Sequence, residues 1–138
     1  MADVVRRIEY YYTEVPDRPR AGAKVLNALK EARVNLVAYT GFPTTGGRAQ
    51  FDFVPSNRAA FLRAARKAGI KVVGPKTAFL FQGEDRVGIV ADILSKLGEA
   101  RINVTAMNGI AAGRRRFGAI LWVKTRNLRR AAEILGAS

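Results

Sequence analysis

The chain contains no cysteine and no histidine. The first absence excludes a disulfide frame, a thiolate nucleophile and a Cys-ligated zinc site. The second removes the commonest general base and metal ligand. Acids are scarce as well: 11 Asp and Glu stand against 24 Lys and Arg among 138 residues, a net charge of +13. The acids form no spacing that suggests paired carboxylates or a metal site. The Gly-rich run Thr44-Thr45-Gly46-Gly47-Arg48 lacks the Lys and following helix of a phosphate loop and reads as a hairpin turn. The N-terminal MADVVRRIEYYY has no long apolar run, so it is read as neither a signal peptide nor a membrane span. These absences predict a cytoplasmic protein that is not an enzyme and carries no cofactor or metal.

What is present is repetition. Residues 85–110, DRVGIVADILSKLGEARINVTAMNGI, meet residues 17–42 when slid back 68 places, with 11 identities in 26 gapless positions. Asp17, Arg18, Leu26, Leu29, Arg33, Asn35 and Gly41 recur as Asp85, Arg86, Leu94, Leu97, Arg101, Asn103 and Gly109. The chain is therefore two copies of one unit, and function has to be read on that unit. Half the residues are apolar, which suits a globular chain. Gly74-Pro75 marks the boundary, giving units at 1–74 and 75–138. Units of this size hold little core of their own.

Periodicity supplies the elements. Ile8–Val15, with three consecutive tyrosines, reads as a strand. A helix over 22–33 carries Val25, Leu26, Leu29 and Ala32 on one stripe. Strands follow at 34–42 and 49–54, with Phe51 and Phe53 inward and Gln50 and Asp52 outward. Ser56 or Asn57 caps a second helix that Gly69 stops, and 70–73 is a short strand. The second copy repeats the order: strand 77–82, helix 87–100, strands 102–110 and 116–124, helix 127–135. Beyond the hairpin the repeat offset becomes 70, pairing Asn57 with Asn127, so a loop has gained two residues. A β-α-β-β-α unit predicts an α+β fold of two ferredoxin-like split βαβ units, antiparallel sheets with helices on one face. The second copy ends without a fourth strand. Ala2–Arg6 or a partner chain is expected to fill that edge, since an open edge invites aggregation.

The run DRVGIVADILSKLGEARINV resembles the ACT domain, a small regulatory module. The likeness lies in Asp85, Arg86, Gly88, Ile89, Leu94, Leu97, Ile102, Asn103 and Val104, with Val87 where Pro is usual and Arg101 where Gly is usual. The first copy keeps Asp17, Arg18, Pro19, Val34, Asn35 and Leu36, but Arg20 replaces the glycine. The resemblance covers nearly the whole chain and implies a stand-alone tandem ACT protein. It implies binding of an amino acid or related small molecule at a domain interface, association into a homodimer, and regulation of an enzyme. The ligand-binding residues it implies are Asp85, Arg86, Val87, Gly88 and Asn103. A glycine opening a helix lets a carboxylate approach free N–H groups, Asn103 offers donor and acceptors, and Asp85 and Arg86 suit an ammonium and a carboxylate. Each has a plainer reading: Asp85 as a helix cap, Gly88 for packing, Asn103 for a turn, Arg86 as a solvated turn residue.

The basic balance raises RNA binding as the alternative. RNA-recognition domains share the split βαβ fold and carry K/R-G-F/Y-G/A-F-V-x-F/Y on the third strand. Residues 115–122, RRFGAILW, match at Arg115, Phe117, Gly118 and Trp122, and Phe79 and Phe81 would be stacking partners. Strand parity weighs against this. Ala119 stands where a stacking aromatic is needed, and the repeat turns Phe117 toward the core. Nucleic acid is accordingly not the expected partner. The same parity puts Ile120 and Trp122 on the open face, too apolar to be left in water, so that face must be covered.

Overall fold

A computed structural model describes residues 3–138. Its elements are β1 (Val4–Pro16), α1 (Ala21–Glu31), β2 (Leu36–Pro43), β3 (Arg48–Pro55), α2 (Arg58–Lys67), β4 (Val73–Glu84), α3 (Ile89–Glu99), β5 (Val104–Ala111), β6 (Arg116–Val123) and α4 (Leu128–Leu135). A 3-10 turn at Thr125–Asn127 leads into α4. The fold is α+β, built of antiparallel strands and helices, as the pattern predicts. Two compact units are present, Tyr10–Lys76 and residues 3–9 with Thr77–Ser138.

The division differs from a cut at Gly74-Pro75, because the strand that fills the second copy's edge comes from the start of the chain. Residues 3–9 belong to the C-terminal copy. There Arg7 N–H donates to Ser138 O at 3.0 Å, and Ser138 N–H donates to Val5 O at 3.1 Å. This chain thus supplies the edge segment, which overlaps the expected 2–6 and runs on to residue 9 (Ala2 lies outside the described residues). Nor does Gly74-Pro75 break the chain: β4 runs through it. At Gly74 (φ +143°) a Cβ would stand 2.8 Å from Tyr10 O and 2.8 Å from Tyr11 Cδ2, so the backbones approach as only glycine allows.

In the Tyr10–Lys76 unit, β3 lies between β2 and β1, pairing Phe53 with both Tyr39 and Tyr11. Val25 and Leu29 of α1 and Phe61, Ala64 and Ala65 of α2 are buried, most of them in one cluster with Tyr11, Phe51 and Phe53. Val25, Leu26 and Leu29 of α1 face the core as their spacing predicts, although Ala32 lies exposed past the end of α1. Asn57 is the cap of α2, its side chain accepting from Ala60 N–H at 2.9 Å. Asp52 does not follow its expected outward exposure. It is 5% exposed and accepts from Gln50 Nε2 at 3.0 Å. Burial pushes its carboxyl above the ordinary range, while the Gln50 bond and the charge of Lys76 pull it down.

In the C-terminal unit β6 lies between β4 and β5. Ile89, Ile93 and Leu97 of α3 and Ala131 and Ala132 of α4 form a core with Phe79, Phe81, Phe117, Ala119 and Leu121. The registers keep the offset of 68 through the third strand of each unit: Tyr11 faces Phe53 as Phe79 faces Leu121. Ala119 and Leu121 therefore correspond to Phe51 and Phe53, and not, as an offset of 70 from the hairpin onward would have it, to Ala49 and Phe51. The two extra residues enter after β6, where the 3-10 turn sits. A shift of two preserves parity, so the conclusion about faces stands. Phe79, Phe81 and Phe117 lie in the core, and Ile120 and Trp122 are buried within this one chain.

Candidate ligand-binding site

The turn from β4 to α3 brings Asp85, Arg86, Val87 and Gly88 together. Asp85 N–H donates to Arg115 O at 2.8 Å, which anchors the turn to the β5–β6 hairpin. Gly88 is the residue that opens α3, in the left-handed conformation at φ +82°, with no side chain capping the helix. The cap reading of Asp85 is therefore not what its side chain does. A Cβ on Gly88 would meet nothing within 4 Å, so packing does not demand the glycine either. Val87 is fully exposed.

Arg86 has a defined environment. Its Nη1 lies 2.9 Å from Asp92 Oδ2, one turn into α3, and its Nη2 lies 3.7 Å from Asp3 Oδ2. It lines a cavity of about 370 Å³ together with Asp3, Val5, Phe81, Ile89, Asp92, Ile93, Lys96 and Leu135. The mouth holds two cations and two carboxylates, and the floor is apolar. That volume is within the usual span of small-molecule sites, about 300–1,000 Å³. The ion pairs are partly solvated, so they hold Arg86 loosely and leave it able to exchange partners.

Asn103 is elsewhere. It is exposed and directly precedes β5. Val104 faces Val123, whereas Glu84 faces Arg116, so the two points lie seven residues apart along β6. At about 3.3 Å per residue that is roughly 23 Å. Within the unit, Asn103 and the Asp85–Gly88 turn occupy opposite ends of the sheet. Of the five residues that the resemblance implies, Arg86 alone lines this cavity, and Asp3, Asp92 and Lys96, which line it too, are not among them. Asp92 and Lys96 are one turn apart on a helix face, a signal visible in the sequence. Asp3 carries no local signal, because the pairing of the N-terminal strand places it.

The first copy repeats the turn with a different residue. Arg20 opens α1 at φ +75°, the conformation that Gly88 takes. Asp17 N–H donates to Gly47 O at 2.8 Å, as Asp85 does to Arg115.

The same architecture occurs in solved structures. Protein BT0572 from Bacteroides thetaiotaomicron superposes with a TM-score of 0.80 at 13% identity, over 97% of this chain and 88% of that one. The regulatory subunit of aspartate kinase from Thermus thermophilus, in a ligand-free form, gives 0.65 at 16% identity, covering 99% and 95%. That from Thermus flavus gives 0.60 at 17%, covering 98% and 94%. Identities this low establish a shared fold, the ACT-type fold of these regulatory subunits. Neither a protein-family model nor a curated protein sequence matches the chain. No helix among the described residues is long and apolar enough to cross a membrane.

Proposed function

We propose that the chain is a non-catalytic regulatory protein that binds an amino acid or a similar small metabolite in its C-terminal unit. The observation that carries this reading is the mixed charge of the Arg86 cavity. Arg86 and Lys96 suit a carboxylate, Asp3 and Asp92 suit an ammonium group, and Phe81, Ile89 and Ile93 offer an apolar wall to a side chain. Of the Asp85–Gly88 turn only Arg86 lines this cavity, and Asn103 would contribute only through a second copy. Exposed Ile110 on β5 favours such a copy, which would bind along that strand. Regulation of an enzyme, as the aspartate kinase subunits are named for, is the corresponding role. The RNA reading finds no support in the C-terminal sheet, since Phe79, Phe81 and Phe117 are buried in the core.

A thermal-shift screen of the twenty amino acids tests the proposal. A ligand at 100 times its Kd adds about 2.7 kcal/mol, a shift of several degrees for a protein this size. The expected result is a selective shift abolished by Arg86→Ala. A flat screen, or a shift untouched by Arg86→Ala, would refute the placement.

A further inference from the structure

The Tyr10–Lys76 unit holds a larger cleft, about 810 Å³, between the end of β1, the start of α1 and the turn from α2 to β4. Five cations line it: Arg18, Arg20, Lys24, Arg48 and Lys71. Glu14 is the one acid on its wall, and it is already engaged with Arg48, whose Nε lies 4.0 Å from the carboxylate and whose Nη2 donates to Glu14 O at 3.2 Å. Among the described residues, Arg18, Arg20, Lys24 and Lys71 have no ion-pair partner, and the first turn of α1 contains no acid to supply one.

The repeat provides an internal control. At an offset of 68, Arg18 corresponds to Arg86, Arg20 to Gly88 and Lys24 to Asp92. In the C-terminal unit Arg86 is neutralised by Asp92 at 2.9 Å. In the Tyr10–Lys76 unit the same helix position carries Lys24, so Arg18 loses its counterion and gains a second cation nearby. Arg20 adds a third, and it does so in a left-handed backbone that glycine would occupy with less strain. Like charges gathered in a concave wall raise each other's energy unless an anion joins them. Arginine forks bind phosphate and carboxylate oxygens in pairs, and the cleft wall is concave enough to surround a small ligand.

We infer that this cleft binds a small polyanion, a molecule bearing two or more phosphate or carboxylate groups, at a site separate from the Arg86 cavity and different from it in charge. The net lining charge of four, five cations less Glu14, exceeds what a single carboxylate would balance. The ligand class is therefore distinct from a zwitterionic amino acid, and the inference does not depend on the amino-acid reading.

Calorimetric titration of the full chain with pyrophosphate, citrate and ADP, at low and moderate salt, tests it. Binding of at least one of these is expected, weakening with salt as ion pairing requires. Pyrophosphate and ADP without citrate would assign the phosphate class, and citrate alone the carboxylate class. Lys24→Asp, which copies the other unit, should weaken binding on the order of tenfold or more, since one charge-assisted contact becomes a repulsion. Arg86→Ala should leave it unchanged. Lys24 is exposed, so the variant is expected to fold, and an unchanged thermal unfolding curve confirms that it has. Three results overturn the inference: no binding of any of the three probes; binding weakened as much by Arg114→Ser, in the C-terminal hairpin, as by Lys24→Asp, which is general basicity; or tight binding of single-stranded RNA alone, which makes the cleft a nucleic-acid surface.

Discussion

Arg20 and Gly88 hold the same left-handed backbone, φ +75° and +82°, each at the residue that opens the first helix of its copy. The fold thus asks for this conformation in both copies, and glycine supplies it in one only.

Exchanging the two residues should separate strain from function. A side chain in the left-handed region costs about 1–2 kcal/mol, offset in part by the roughly 0.5–1 kcal/mol that glycine loses in chain entropy. Arg20→Gly is expected to raise stability by up to about 1 kcal/mol. Gly88→Arg should lower it by about the same, because its Cβ enters open space. Urea unfolding of both variants checks this. A loss above about 3 kcal/mol in Gly88→Arg would mean that the turn is closely packed after all.

Asn57 and Asn127 are equivalent in sequence and not in structure. Asn57 caps α2 through Ala60 N–H, whereas Asn127 ends a 3-10 turn and its side chain makes no capping bond. Asn57→Ala is expected to cost about 1 kcal/mol. Asn127→Ala should change stability by no more than about 0.5 kcal/mol. Equal losses in chemical denaturation would contradict the structural difference.

These pairs show what the sequence carried and what it did not. The helices, the hairpins and the two-copy pattern were legible because each is local: Val25 and Leu29, or Ile93 and Leu97, are spaced for a helix face wherever the helix sits. The Asp85–Gly88 turn was legible for the same reason. The N-terminal strand was legible only as one of two candidates for the open edge, because its membership depends on Arg7 and Val5 meeting Ser138, at the far end of the chain. Asp52 alternates correctly with Phe51 and Phe53, so its facing was readable. Its burial was not, since alternation says which face a residue takes and nothing about what covers that face. Asp3 escaped notice as a cavity residue on the same grounds as the strand that carries it.

Gly109 marks a close approach that the sequence recorded only as an identity with Gly41. A Cβ there would meet Phe117 Cζ at 2.7 Å, and one on Gly41 would meet Phe51 Cδ1 at 3.2 Å. In both units an aromatic ring of the neighbouring strand lies over the glycine. Overpacking of this kind costs about 1–3 kcal/mol. Gly109→Ala should therefore lower the urea midpoint, and Gly109→Ala with Phe117→Leu should recover part of the loss. A double variant no better than the sum of its parts would show that the ring is not the obstacle.

Asp52 should make the protein's stability fall as pH rises through the carboxylate range. Below the ordinary value of 3.8 the group is protonated in both states and contributes no difference. As pH climbs past 3.8 the unfolded chain ionises first, while the folded chain must ionise a residue only 5% exposed. The folded state then holds more protons than the unfolded one, so stability drops across the interval from 3.8 to the raised folded value and levels off above it. Asp52→Asn removes this dependence and keeps an oxygen to accept from Gln50. The variant should unfold at a higher temperature than the parent chain at pH 7, with the gap closing toward about pH 3. Melting curves of both proteins across that range check the sign. A parent chain more stable than Asp52→Asn at pH 7 would mean that the Lys76 charge and the Gln50 bond outweigh burial, and that the carboxylate is held for its charge.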